Sequence, residues 1–236
     1  MGKNEKVKLL IDFIHRFAFH HVLWFLEVNH QLGEKKALEC LDDVYKKSYT
    51  VFIERLSKVL NFELEEGLPT FLLGLDDDKL VDLLKAISIN WLANDGIWFQ
   101  SVEFKRTMHD AKRCNDSCWA KFSPVEAYFI KSFLNLPDNS GLKGLEEALK
   151  YRLYSYINKQ TIRWSEESLI LEMNDCRVQS ARKRKNLEEY PCNSGGWAEF
   201  SRFAETIDSR IKTEIIACPP DEHPAKYFCA WRFFIE

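Results

Sequence analysis

The chain carries no surplus of charge: 33 Lys and Arg against 36 Asp and Glu leave a formal net charge of −3. That near-balance gives no global pull toward nucleic acid or anionic lipid, so either partner would need a local patch. The opening residues hold no apolar run free of charge. Met1-Gly2-Lys3-Asn4-Glu5-Lys6 is polar and leads into an amphipathic stretch with charges throughout, which fits neither a signal peptide nor a spanning helix. Cysteine pairing is missing as well. The seven cysteines are odd in number and none falls in a C-x-x-C knuckle, which argues for reduced thiols rather than a disulfide framework. The expectation is a cytoplasmic protein with no nucleic-acid and no membrane partner, in which the thiols serve packing, metal binding or catalysis.

What the chain does have is core material and an internal repeat. Of its 236 residues 46% are hydrophobic and 14% aromatic, enough for one large domain or two small ones. Sliding the sequence by 74 positions without a gap aligns residues 7–62 with 81–136 and gives 13 identities, among them Trp24-Phe25 with Trp98-Phe99, Ala37 with Ala111, Cys40 with Cys114 and Leu60-Asn61 with Leu134-Asn135. Chance would match about one position in sixteen. In the first repeat Val7, Leu10, Ile11, Ile14, Phe17 and Ala18 recur at helical spacing; in the second Leu80, Leu83, Leu84, Ile87 and Trp91 do so behind capping oxygens at Asp76-Asp77-Asp78. Gly33 is expected to end the first long helix, and Ser123-Pro124 to restart one. Two helical hairpins in a bundle therefore account for residues 1–136.

Pro137-Asp138-Asn139-Ser140-Gly141 is the clearest punctuation, and the domain boundary is placed there. Beyond it, in 137–236, the sequence predicts a helix from about Leu142 to Asn158, strands at 161–164 and 168–173, helices near 176–187 and 196–207, and strands at 212–217 and 227–235. The expected fold class is α+β: duplicated N-terminal helical hairpins followed by a four-stranded antiparallel sheet with helices on one face.

Cys176, Cys192, Cys218 and Cys229 fall at loop, helix-end or strand-end positions of this module, where folding brings distant points together. Four converging thiolates would suit zinc, a borderline-soft tetrahedral ion; inert packing and a reactive thiol are the alternatives. Cys218-Pro219-Pro220-Asp221-Glu222-His223-Pro224 is either a stiff connection between strands or a set of ligands on a fixed backbone. Arg182-Lys183-Arg184-Lys185, with Arg177 ahead and Gln179 between, reads as a solvated helix face or as a fork for a carboxylate or phosphate. Glu27-Val28-Asn29-His30 has the Glu-x-x-His spacing of di-iron bundles, but the second repeat has Ser101 and Phe104 instead, and His15, His20 and His21 lack an i, i+4 pair. Asp95 and Trp98, with Trp24, Asn94, Cys114, Asp116 and Cys118, cluster at the centre of the repeats and either pack a core or line a ligand pocket.

Asn174-Asp175-Cys176-Arg177-Val178-Gln179-Ser180-Ala181-Arg182, Tyr190-Pro191-Cys192, Cys218-Pro219-Pro220 and Cys229-Ala230-Trp231-Arg232-Phe233 together resemble an uncharacterised family of prokaryotic cytosolic proteins. The cysteine layout of the last hundred or so residues is also similar to that of the L-2-amino-thiazoline-4-carboxylic acid hydrolase family and, more distantly, to vinyl-reductase-type ligand-binding domains. The resemblance implies a small-molecule or metal-binding module with the four cysteines as functional positions. The hydrolase family's Cys-Pro-Trp-His type of motif is absent here.

The sequence thus leads to a metal- or small-ligand-binding protein, with zinc held by Cys176, Cys192, Cys218 and Cys229 and a ligand held by Arg177, Gln179, Arg182, Trp98 and Asp95. The alternatives are a hydrolase acting on a small carboxylated or thiol-containing substrate and an adaptor that binds another protein through its helices. A homo-oligomer is compatible with all three.

Overall fold

The structure, a computed structural model, describes residues 1–186 and 188–236. It divides into two compact units, Met1–Gly74 and Leu75–Glu236.

The first unit is the first repeat. Helix α1 (Lys3–Leu32) turns at Gly33, whose φ of +85° suits a residue without Cβ, directly into α2 (Glu34–Leu60). Asn61 closes α2 in the left-handed conformation, and a hairpin of β1 (Leu64–Glu65) and β2 (Leu68–Pro69) leads to the short α3 (Thr70–Leu73). Its central residues Glu66 and Gly67 both have positive φ, the pattern that matches strand twist in a two-residue turn. This unit buries little: Ala37, Leu38 and Leu41 of α2 are buried, and no residue of α1 is. Phe17 and Phe52 stack across the hairpin with ring centroids 6.0 Å apart. By length and composition alone α1 could cross a membrane, having a stretch of mean hydropathy 1.3, although Asp12, Arg16 and the histidines at 15, 20 and 21 lie along it.

The second unit holds the second repeat and the C-terminal module. Helices α4 (Asp77–Lys105) and α5 (Met108–Phe133) pair, with Thr107 Oγ1 accepting the Asp110 amide at 3.0 Å as the N-cap of α5. There follow α6 (Gly141–Lys150), a 3-10 turn (Leu153–Tyr156), β3 (Lys159–Ser165), β4 (Ser168–Asp175), α7 (Arg177–Arg184), α8 (Asn193–Ile207), β5 (Ile211–Ala217) and β6 (Cys229–Ile235). The four strands form an antiparallel sheet in the order β3-β4-β6-β5. The expected α+β class, the paired helices and the four-stranded antiparallel sheet are therefore present.

Periodicity explains how the core closes. Leu142, Leu145, Ala148 and Leu149 share one face of α6, and Phe200, Phe203, Ala204 and Ile207 share one face of α8; both faces lie against Leu169, Leu171, Trp231 and Phe233 of the central strands. Each of the Leu, Ile and Phe side chains among them contributes roughly 1.5–3 kcal/mol on leaving water. Asp208 fastens the end of α8 to the start of α6: it accepts from the Gly141 amide at 2.8 Å and from Arg210 Nη2 at 2.7 Å. The hydrogen bond from Arg210 holds its carboxyl well below the usual carboxylate range.

Three local readings differ from the sequence expectation. The compact units divide at Gly74–Leu75, so Pro137–Gly141 lies inside the second unit, because α5 packs along α8 and the second repeat shares the module's core. Helix α5 runs through Pro124 without restarting. Ser123 and Pro124 are both buried, and Ser123 Oγ donates to the Trp119 carbonyl at 2.8 Å, so tertiary burial outweighs the helix-breaking tendency of proline. The helix expected to reach Asn158 ends at Lys150 and gives way to the 3-10 turn.

Candidate functional site

A cavity of about 380 Å³ opens inside the second unit. Asp95, Gly96, Phe99, Gln100 and Glu103 of α4 line it at the spacing of one helix face, and Asn115 and Trp119 of α5 adjoin them. Tyr154 of the 3-10 turn stacks on Trp119, ring centroids 5.6 Å apart, and meets Trp91 edge-on at 4.9 Å. Opposite stand Met173 of β4, Arg177, Val178, Ala181 and Arg182 of α7, Lys185, Gly196, Glu199 and Phe200 of α8, and Trp231 of β6. Gly196 is required by close approach: a Cβ there would lie 2.8 Å from the Trp231 ring.

All four cysteines of the module line this cavity. Cys176 is the N-cap of α7 and Cys192 that of α8. Each sulfur faces donors or another thiol. Cys176 accepts from the Gln179 and Val178 amides, Gln179 Nε2 donates to Cys192 Sγ at 3.2 Å, Trp231 Nε1 donates to Cys229 Sγ at 3.4 Å, and Cys229 is hydrogen-bonded to Cys218. Helix N-termini and N–H donors favour thiolates, but burial is the larger effect. It pushes Cys176 up to about 12 and Cys192 well above its ordinary value; Cys229 is raised by its bond to Cys218 and by burial. At neutral pH these three are thiols. Among the described residues no group of three or more His, Cys, Asp or Glu side chains is arranged to hold a metal ion. The tetrathiolate cluster expected at Cys176, Cys192, Cys218 and Cys229 is thus not formed: the sulfurs share a wall but do not close on one point.

Two acids face the same space. Burial lifts Glu199 to about 7 against the pull of Arg152, and lifts Asp95 against its hydrogen bond from Asn115. Behind the wall Arg152, 1% exposed, donates from Nε to Glu126 at 2.9 Å and from Nη2 to Glu199 at 2.6 Å, with its guanidinium over Phe203 at 4.7 Å. A second relay runs from Tyr190 OH to Asn115 Oδ1 at 3.2 Å and from Asn115 Nδ2 to Asp95 Oδ1 at 3.2 Å. Asn158, on the cavity wall, donates nothing from its buried Nδ2, while its Oδ1 accepts the Arg177 amide at 2.9 Å.

Of the five residues expected from the sequence to hold a ligand, Asp95, Arg177 and Arg182 line the cavity, and Gln179 and Trp98 do not. Gln179 is buried behind it, where it clamps the Tyr190 backbone (2.8 and 2.9 Å) and Cys192, so its role is to hold the wall. Trp98 is 56% exposed on another face of α4; one position along, Phe99 faces inward, a 100° error of helical phase. Arg182 and Lys185 face the cavity while Lys183 and Arg184 are exposed beyond it, so the basic run is both lining and solvated surface. Of 218–224 only Cys218 lines the cavity; the rest is a connection between β5 and β6 with a cis Pro219–Pro220 bond, and His223 pairs with Glu189 at 3.0 Å. Sequence reading missed Glu199, Tyr154 and Asn158. A signal existed for the first, since Glu199 stands four residues before Phe203 and eight before Ile207 on the apolar stripe of α8.

Fold and site together define an α+β protein with a thiol-lined cavity between a helical hairpin and a four-stranded sheet. The chain belongs to the DUF6125 family, a family of unknown function, which matches residues 73–235. No curated protein matches the chain. No solved structure matches it either.

Proposed function

We propose that the second unit binds a small organic molecule with an apolar body and an anionic end. The observation that carries this reading is the composition of this cavity: aromatic walls from Phe99, Trp119, Tyr154 and Trp231, with Arg177, Arg182 and Lys185 on one side and the unpartnered Asn158 Nδ2 beside them. Pockets of this size bury most of a small ligand, and a few convergent polar groups set its orientation. Guanidinium forks and an amide donor suit a carboxylate. Burial shifts both Glu199 and Asp95 toward the protonated form, which lessens the negative charge they set against an anion. The similarity of the cysteine layout to ligand-binding domains points the same way, as do seven free thiols, which fit a reducing cytoplasm. Titration calorimetry with phenylpropionate, indole-acetate and their amides tests it. The acids are expected to bind one per chain and at least tenfold more tightly than the amides. Equal or absent binding of acids and amides would sink the reading.

A second reading keeps zinc or another soft ion. The N–H donors aimed at Cys192 and Cys229 are the kind of partner that stabilises a metal-bound thiolate, and the wall would have to close for the sulfurs to share an ion. Elemental analysis of protein purified without added metal decides it: zinc near one per chain supports it, and none refutes it. A hydrolase with a cysteine nucleophile is the weakest of the three, because burial holds the candidate thiols protonated.

A further inference from the structure

The end of the β5–β6 ladder brings two thiols face to face. Strand β5 pairs with β6 in a register that sets Ile211 opposite Ile235 and Ile215 opposite Trp231, then slips by one residue so that Ala217 lies opposite Ala230. Cys218 and Cys229 are the next pair in that register. The slip is a β-bulge at Ile216, and it leaves Ile215 and Ile216 both exposed. Strict alternation from Ile211 would turn Ala217 toward the core and Cys218 away from it. The extra residue reverses this: Cys218 joins Ile211, Trp231 and Phe233 in the core, with Cys229 packed against it. Both sulfurs thus stand on the inner face of the sheet, within hydrogen-bonding reach of each other.

We propose that Cys218 and Cys229 are a redox pair that closes as a disulfide when hydrogen peroxide reaches the cavity they both line. Directly opposed residues on antiparallel strands have Cα atoms about 4.5 or 5.5 Å apart, and both values fall within the roughly 4.4–6.8 Å that a disulfide spans. The backbone on either side is already fixed. The Asp221 amide donates to the Cys218 carbonyl at 3.0 Å, the Asn193 amide to the Pro219 carbonyl at 2.9 Å and the Phe228 amide to the Met173 carbonyl at 2.9 Å. Closure therefore asks for side-chain rotation alone. Cys176 and Cys192 sit at helix N-caps instead, outside any strand register. Cys229 is partly exposed where Cys218 is buried, so it is the sulfur that meets the oxidant. It attacks one peroxide oxygen; the S–O bond forms, the O–O bond breaks, and the departing hydroxide takes the thiol proton to become water. The Cys218 sulfur then attacks the sulfenic acid at Cys229; the S–S bond forms, the S–O bond breaks, and the second hydroxide takes the Cys218 proton. Two thiols have lost two electrons and one peroxide has become two waters. The bond to Cys218 and burial keep Cys229 a thiol, so the reaction is slow and answers sustained rather than brief exposure. Disulfides of reducing compartments are usually transient and redox-sensing, which suits a pair that is free until oxidised.

Peptide mapping of the full chain tests the proposal: the protein is reduced, held for hours with excess peroxide, and its remaining thiols are alkylated before digestion. Trypsin is expected to release 213–226 joined to 227–232, from a chain that has lost two of its seven free thiols, and dithiothreitol should separate the two peptides. Because the bridge closes a short loop in the unfolded chain, oxidation should raise the melting temperature by roughly 5 °C. Cys229→Ala should abolish both the link and the rise; should that variant not fold, the wild-type map decides alone. A map in which both sulfurs stay free, pass on to sulfinic acid or join other cysteines overturns the proposal. So does a bridged chain that melts below the reduced one, since paired strands in this register hold no such strain.

Discussion

The two repeats are one motif in two settings. Thirteen identities over the aligned segments give each a pair of long helices, yet α5 buries Ala111, Trp119, Ser123, Pro124, Glu126, Ala127 and Ile130, whereas α2 buries Ala37, Leu38 and Leu41. A hairpin of helices has too little interior to bury its own stripes, so what each repeat becomes depends on what covers it. In the second unit the cover is the sheet module, and the seam between hairpin and module is where the cavity forms. The family match, 73–235, coincides with that covered unit and leaves the first repeat outside it.

The contrast can be broken most severely at Arg152. Replacing it with Met leaves Glu126 and Glu199 as buried carboxylates without their cation and should cost the second unit about 3–5 kcal/mol in urea unfolding followed by tryptophan fluorescence, while the helical signal of the first unit persists. An unfolding midpoint equal to wild type would mean that the triad contributes nothing net.

Core truncation sharpens the same comparison. Phe203→Ala, at a fully buried position, should cost about 3–5 kcal/mol, whereas Phe17→Ala, at an exposed one, should cost the first unit well under that, as read by thermal melts. Two glycines separate tight packing from open space within the second unit. Gly196→Ala drives a Cβ against Trp231 and should destabilise by about 1–3 kcal/mol, while Gly96→Ala, in the interior of α4 with nothing within 4 Å, should stabilise by up to about 1 kcal/mol.

A further expected effect is on pH dependence. Glu199 moves from an ordinary 4.5 to about 7 on folding, so between those values the folded state holds a proton that the unfolded chain has lost. Its contribution to stability is therefore greatest at low pH and declines as pH rises from about 4.5 to 7. In Glu199→Gln that decline should vanish, which melting temperatures at pH 5 and 7.5 would show; an unchanged slope would place the titration elsewhere.

Much of this was legible before folding. The strands at 159–165, 168–175, 211–217 and 229–235 lie close to their expected places because alternation and β-branched residues act locally, and the helices follow from apolar spacing. The convergence of the four cysteines on one space could be anticipated because all sit where elements begin or end. What failed was of two kinds. Trp98 was misplaced because neighbouring aromatics on a helix cannot be phased without knowing which face is covered. The boundary at 137–141 was misplaced because a Pro-Gly loop records a local break in structure, and says nothing of which elements later share a core.

By itself the sequence determined the inventory: two related helical hairpins, an antiparallel sheet, and thiols at the ends of elements, all properties of hydrophobic period and turn chemistry within a few residues. Only the tertiary structure decided that the second hairpin shares a core with the sheet module, that Glu199 shares Arg152 with Glu126 behind the cavity wall, and that the sulfurs line a space without closing on a point. Those are matters of contact between residues far apart in the chain, and they follow from how buried charge and apolar area are balanced across the whole core.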